Sequence, residues 1–251
     1  MNPLFEVENL KVAFGHHGPS VQAVRGISWT LGRGECLGIV GESGSGKSVG
    51  VLGSLGLLDR QAKVSGTVRL EGQVLDALSP DQRRRLLGPK LAMIFQEPSR
   101  AFDPIASLEA TFIETFRAHR PRMERAECRE RAIRLLKEVQ INDPELRLKN
   151  YPHQFSGGML QRVGIALALA NGPEVLFCDE PTTALDVTIQ RQIAELLQEL
   201  KRTRHLALVF ISHDLELVAG LSDRILVMYA GLILESGPVR KVLDSPRSPY
   251  T

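Results

Sequence analysis

Gly41-Glu42-Ser43-Gly44-Ser45-Gly46-Lys47-Ser48 most limits what this chain can fold into. It fits GxxxxGK[ST], a pattern that works only where a strand ends and a helix begins. Residues 35–40 before it form a short apolar run, and Val49, Val51, Leu52 and Leu55 after it are spaced as on a partly buried helix. Strand, loop and helix are therefore expected in that order. Glycines let the loop turn its N–H groups toward phosphate oxygens, and the helix N-terminus adds partial positive charge. Lys47 is expected to reach the terminal phosphates of a nucleotide. Ser48 would offer its hydroxyl to Mg2+, which takes oxygen ligands and bridges the β- and γ-phosphates.

A phosphate loop alone leaves many nucleotide hydrolases open, so a second acidic site matters. Val175-Leu176-Phe177-Cys178-Asp179-Glu180 is an apolar strand ending in adjacent carboxylates. Asp179 fits a residue that holds Mg2+ through water, and Glu180 can activate the attacking water. Neighbouring residues at a strand end diverge in direction, so the two acids can serve different partners. On its own the pair would read as a solvated acidic turn before Pro181; beside the phosphate loop it reads as catalytic.

The rest of the chain supplies the frame. Residues 5–13 and 21–31 read as strands joined by His17-Gly18-Pro19-Ser20, residues 64–75 as a small hairpin, and 90–95 as a buried strand ending at Gln96. Helical patterning dominates 97–170, including 122–139 with Ala126, Ile133, Leu136 and Val139 on one side. Strand character returns at 174–178, 206–211 and 224–229, around a helix near 187–204 whose stripe is Ile189, Ile193, Leu196, Leu197 and Leu200. This alternation predicts an α/β fold with a mainly parallel sheet covered on both faces, and a helical lobe inserted between early and late strands.

Composition narrows the partners. The chain has 251 residues, enough for one sizeable core or one domain with an inserted lobe. Lys and Arg total 31 against 29 Asp and Glu, so the formal charge of +2 is too small for binding driven by phosphate-backbone neutralisation, and no nucleic-acid partner is expected. Arg83-Arg84-Arg85 and the arginines of 120–134, interleaved with Glu124, Glu127 and Glu130, read as solvated helix faces. Cys36, Cys128 and Cys178 lack CxxC spacing, which fits a reducing compartment and implies no structural metal. Neither a secretory signal nor an apolar stretch long enough to span a bilayer is visible, so the protein is expected inside the cell, with any membrane link made through a partner.

Phe155-Ser156-Gly157-Gly158-Met159-Leu160-Gln161-Arg162 opens an apolar helical run, with Ser156 as its N-cap. With the phosphate loop before it and the acidic strand after it, nearly the whole chain resembles the ATP-binding cassette (ABC) ATPases, whose signature motif occupies this place. The resemblance implies a P-loop NTPase of ABC type with an N-terminal antiparallel β layer. It implies a single nucleotide-binding domain over 1–251, with 1–96 and 171–251 as core and 97–170 as helical signature lobe. It gives Gln96 the role of sensing Mg2+ and joining core to lobe. Ala184-Leu185-Asp186 becomes the D-loop, and His213, after Leu208-Val209-Phe210-Ile211-Ser212, the switch beside the γ-phosphate. Phe14 takes the place of an adenine-stacking aromatic, and Val24 and Val49 also join the nucleotide site. Ser156, Gly157, Gly158 and Asp186 would act on a nucleotide sandwiched against a second cassette, identical or related.

Tyr151-Pro152-His153-Gln154-Phe155-Ser156-Gly157-Gly158-Met159 and Asp179-Glu180-Pro181-Thr182-Thr183-Ala184-Leu185-Asp186-Val187 are similar to the ATP-binding subunits of peptide and nickel importers, as is Ser248-Pro249-Tyr250-Thr251. That group implies ATP and Mg2+ as cofactors, transmembrane permease subunits as partners, an extracytoplasmic binding protein met indirectly, and a peripheral place on the cytoplasmic face of the inner membrane. Its members commonly continue into an extension, often with a cysteine cluster for an iron–sulfur centre; no such cluster is expected in this sequence. Peptides are the expected cargo, with nickel or another small solute open. The alternative is a soluble ABC ATPase of DNA repair or translation. Against it, the chain carries neither a long coiled-coil insertion nor a second cassette. A nucleotide-binding regulator would more readily lose Glu180 or His213, and a GTPase would carry an NKxD motif, which is absent.

Overall fold

Alternating burial along the first residues resolves into β1 (Phe5–Phe14) and β2 (Val21–Leu31), antiparallel from Phe5 opposite Leu31 to Phe14 opposite Val21. The computed structural model describes residues 2–15, 20–59, 61–183 and 185–251. The turn expected at His17, Gly18 and Pro19 lies outside them. Two compact units emerge: Met1–Arg83 with Arg204–Thr251, and Arg84–Thr203.

In the first unit, alternation along β1 breaks at Glu8 and Asn9, both exposed between buried Val7 and Leu10. Asn9 sits at φ 49, and the register to β2 shifts there; this bulge returns Leu10 and Val12 to the core face. With β4 (Ala62–Leu70) and β5 (Gln73–Val74), these strands form an antiparallel sheet in the order β2-β1-β4-β5. A second sheet in this unit contains β3 (Cys36–Val40), parallel to both β8 (Ala207–Ile211) and β9 (Arg224–Tyr229). Every residue of β3 and β8 is buried, which is why they read as continuous apolar runs. β10 (Leu232–Pro238) returns antiparallel along β9. The helices are α1 (Lys47–Leu55), α8 (Leu215–Leu221) and α9 (Val239–Asp244), while α2 (Pro80–Leu86), which belongs to this unit only up to Arg83, buries no residue at all.

The second unit pairs β6 (Leu91–Ile94) in parallel with β7 (Val175–Asp179). β6 is shorter and less buried than the sequence pattern implies, and Phe95 just beyond it is 44% exposed. Its helices are α3 (Leu108–Arg117), α4 (Arg125–Glu138), α5 (Pro144–Arg147), α6 (Gly157–Ala168) and α7 (Val187–Arg204). On α4 the buried stripe is Cys128, Ala132, Leu135 and Leu136, continued by Val139. Ala126 is exposed and Ile133 only half-buried, so the expected face is rotated. A small methyl such as Ala126 carries little burial energy and yields to the spacing of the larger set. Along α7, Ile193, Leu196, Leu197 and Leu200 are buried as expected, while Ile189 at the start of the expected stripe is half-buried. No described helix is long and apolar enough to cross a membrane. The class is α/β, with an antiparallel N-terminal layer and parallel core strands.

Candidate functional site

In the first unit, β3 stops at Val40 and the chain enters the loop with Gly41 at φ 151, Gly44 at φ 79 and Gly46 at φ 98. A β-carbon on Gly41 would collide with the Met228 carbonyl oxygen, and one on Gly46 would stand 2.5 Å from the Ala23 carbonyl oxygen. Only glycine suits these positions, both by conformation and by space. The loop is braced from outside by the two-residue turn between β9 and β10. Ala230 (φ 45) and Gly231 (φ 79) form it, and Gly231 N–H donates to the Ser45 carbonyl at 2.9 Å. The Gly231 carbonyl in turn accepts from Arg25 N–H of β2 at 2.8 Å.

Lys47 is 5% exposed and lies across its own loop. Its Nζ donates to the carbonyls of Gly41 at 2.7 Å and Glu42 at 2.8 Å, and to Ser45 Oγ at 3.4 Å. A buried ammonium needs such acceptors, and phosphate oxygens could take their place. Ser48 and Val49 follow, half-buried, in the first turn of α1, and Ser43 and Glu42 are exposed. Val24 of β2 is 1% exposed and packs under α1 beside Gly50. Phe14, half-buried, ends β1 opposite Val21 and Ala62. Exposed His213 follows buried Ser212 at the end of β8. Asp214 then caps α8, its Oδ1 accepting from Glu216 N–H at 2.9 Å and Leu217 N–H at 3.1 Å. Gly41, Glu42, His213, Leu215 and Tyr250 are among the residues lining a cavity of about 260 Å³ in this unit.

The second unit carries the acids. Ile94 of β6 lies opposite Cys178 of β7, so the residues two further along, Gln96 and Glu180, leave the strand ends side by side. Gln96 Nε2 donates to Glu180 Oε2 at 3.2 Å, and Thr183 Oγ1 donates to the same oxygen at 2.9 Å. Asp179 ends β7 at 6% exposure, and Glu180 then turns into the left-handed region at φ 44. A non-glycine residue there is strained, and such strain collects where a side chain must be aimed.

The same unit builds the glycine-started helix. Ser156 Oγ caps α6 by accepting Met159 N–H at 3.3 Å. A β-carbon on Gly158 would stand 2.8 Å from Ile189 Cγ2 of α7, and one on Gly157 would stand 3.4 Å from Leu185 Cδ2. Asp186 Oδ1 accepts from Ile189 N–H at 3.0 Å at the start of α7. Ser156, Gly157, Gly158, Leu185 and Asp186 thus share the wall of a concavity of about 580 Å³. Ala184 lies outside the described residues.

Three features, two in the second unit and one beside the phosphate loop of the first, escaped the sequence reading. Arg162 donates to the Val139 carbonyl at 3.1 Å, Gln140 Oε1 at 2.9 Å and Gln192 Oε1 at 3.2 Å, tying α6 to the end of α4 and to α7. Burial pushes its guanidinium below its ordinary value, though it stays charged. Arg147 also lines this concavity. The Ala230-Gly231 turn is the third, and a small residue followed by glycine between apolar runs is the signal that could have found it.

Residues 24–183 match the protein family described as ABC transporter. The chain is 47% identical over 249 residues to the dipeptide transport ATP-binding protein DppD of Escherichia coli (strain K12), covering 99% of this chain and 76% of that one. It is 44% identical over 251 residues to the oligopeptide transport ATP-binding protein OppD of Mycobacterium tuberculosis (strain H37Rv), covering 41% of that longer protein. Among solved structures, the ATP-binding cassette MJ0796, a dimer in a post-hydrolysis state bound to ADP and Pi, superimposes with a TM-score of 0.81 at 27% identity. That likeness covers 94% of this chain and 99% of the cassette.

Proposed function

The chain belongs to the ABC transporter family as an ATP-binding ATPase, and from this premise we propose that it energises a membrane importer whose cargo is peptide. What carries the hydrolytic part is the Glu180 carboxylate, oriented by Gln96 and Thr183 in a chain that also builds a phosphate loop. The likeness to a dipeptide transport subunit over 99% of the chain supports the cargo.

In the proposed reaction, water attacks the γ-phosphate in line with the departing ADP, and Glu180 takes its proton. Lys47 exchanges its loop carbonyls for phosphate oxygens and neutralises developing charge, and His213 holds the γ-phosphate in register. Ser48, Gln96 and Asp179 offer oxygen donors only, which suits Mg2+. That ion, when bound, would screen the phosphate charges. Phe14, Val24 and Val49 would contact the nucleotide beside the loop. Ser156, Gly157, Gly158 and Asp186 would meet the nucleotide of a second cassette, identical or related, so that ATP closes the pair and hydrolysis releases it. ATP does mechanical work to the extent that it binds the closed state more tightly than the open one.

Residues 97–170 are the proposed lobe that meets the permease, at the cytoplasmic face of the inner membrane. An extracytoplasmic binding protein would deliver cargo without touching this chain. The test is uptake of a radiolabelled dipeptide by cells of the source organism carrying Lys47→Ala in this chain. Loss of uptake is expected. Normal dipeptide uptake with loss of another solute would overturn the cargo assignment.

A further inference from the structure

The segment that follows α9 is fastened to the first unit by Glu235 of β10. Glu235 Oε1 accepts from Arg247 N–H at 2.9 Å, and Oε2 accepts from Ser248 N–H at 3.2 Å. Ser248 Oγ then accepts from Tyr250 N–H at 3.3 Å, and the Ser248 carbonyl from Thr251 N–H at 3.0 Å. This turn delivers the Tyr250 ring onto Tyr229, the last residue of β9, with centroids 4.7 Å apart and planes tilted by 50°. From that seat the Tyr250 hydroxyl accepts the Glu42 N–H at 3.1 Å.

That N–H belongs to the peptide unit between Gly41 and Glu42, whose carbonyl oxygen, on Gly41, accepts from Lys47 Nζ at 2.7 Å. One peptide at the mouth of the phosphate loop is therefore gripped at both ends, by the lysine on its carbonyl and by the tyrosine on its amide. Hydrogen bonds at the two ends of one peptide polarise each other and oppose its rotation. Gly41, at φ 151 and without a side chain, provides no such restraint itself.

We infer that Tyr250 is a positioning residue of the phosphate loop: its hydroxyl fixes the Gly41–Glu42 peptide in the arrangement that receives the nucleotide, and keeps it there when Lys47 leaves the Gly41 carbonyl for phosphate. This rests on the ATPase reading above and deepens it. Tyr250 need not touch the nucleotide. It acts by sparing ATP the cost of ordering the loop, so its loss belongs in affinity more than in turnover.

The test compares the full chain with its Tyr250→Phe variant, which keeps the ring on Tyr229 and removes the acceptor. Steady-state MgATP hydrolysis gives KM and kcat, and titration with a fluorescent ATP analogue gives Kd. Losing one such hydrogen bond should raise KM and Kd roughly 2- to 13-fold, with kcat falling by less than KM rises. Glu235→Ala, which releases the turn, should shift KM the same way, and the double variant should be no worse than the more affected single one. Unchanged or tighter ATP binding by Tyr250→Phe would overturn the inference, as would effects of the two substitutions that simply multiply. A lowered thermal midpoint with KM unmoved would likewise overturn it, by showing a structural role only. A parent chain that binds no ATP would overturn both this inference and the ATPase reading, whereas a parent that hydrolyses ATP beside an unaffected Tyr250→Phe variant would overturn this inference alone.

Discussion

Gly158→Ala should change sign with the residue it faces. A β-carbon on Gly158 would stand 2.8 Å from Ile189 Cγ2, where ordinary contact begins at 3.4 Å. The neighbour is a methyl on a β-branched carbon near the start of α7, stiff at χ1, so relief needs a shift of α7 or of the first turn of α6. Overpacking of this kind costs about 1–3 kcal/mol. Alanine at a helical position returns up to about 1 kcal/mol of propensity. The overlap wins, and a net loss of about 1 kcal/mol is expected in the parent. With Ile189→Ala the obstructing methyl is gone, only the propensity gain remains, and Gly158→Ala should then stabilise the chain. Urea unfolding of the four chains measures this, with midpoints converted at about 1–3 kcal/mol per molar urea. Gly158→Ala destabilising equally in both backgrounds would refute the steric account of this glycine.

Lys47→Ala should abolish both ATP binding and turnover, read by fluorescent-nucleotide titration and phosphate release, because it removes the cation that spans the loop. Glu180→Gln should cut phosphate release by roughly 100- to 10,000-fold while ATP binding persists; turnover at the parent rate would show that another group is the base. Glu235 is held below its ordinary 4.5, first by Arg247 N–H, then by the Thr251 side chain and Ser248 N–H. A depressed acid contributes stability that is present above its unfolded pKa and fades as pH falls through the folded one. Urea unfolding should therefore show Glu235→Gln less stable than the parent at pH 7, with the gap closing as the pH drops below about 4.5.

The phosphate loop was legible because its requirements are local. Glycines at 41, 44 and 46 answer positive φ angles within the loop itself, and a lysine and a serine follow at fixed spacing. The meeting of Gln96 with Glu180 was half legible: both residues end apolar runs, but only the Ile94–Cys178 register brings them together. Long-range contacts left less trace. Tyr250 reaches Glu42 across 208 positions, and Ile189 presses on Gly158 from another helix, so no window of sequence contains either pair. The face of α4 was misjudged because Ala126 and Ala132 look alike in a pattern, and only packing decides which is buried. α2 was legible only as the solvated helix face of Arg83, Arg84 and Arg85, without bounds, because an element that buries nothing prints no apolar period.

If ATP draws two cassettes together and hydrolysis through Glu180 lets them part, a chain that binds ATP without hydrolysing it should stay closed. Light scattering after size exclusion of the Glu180→Gln chain, with and without MgATP, tests it most directly, since this variant should bind ATP and keep it. Without nucleotide the chain should run as a monomer, and with MgATP its mass should double. A mass that stays monomeric while ATP is demonstrably bound would contradict closure between copies of this chain.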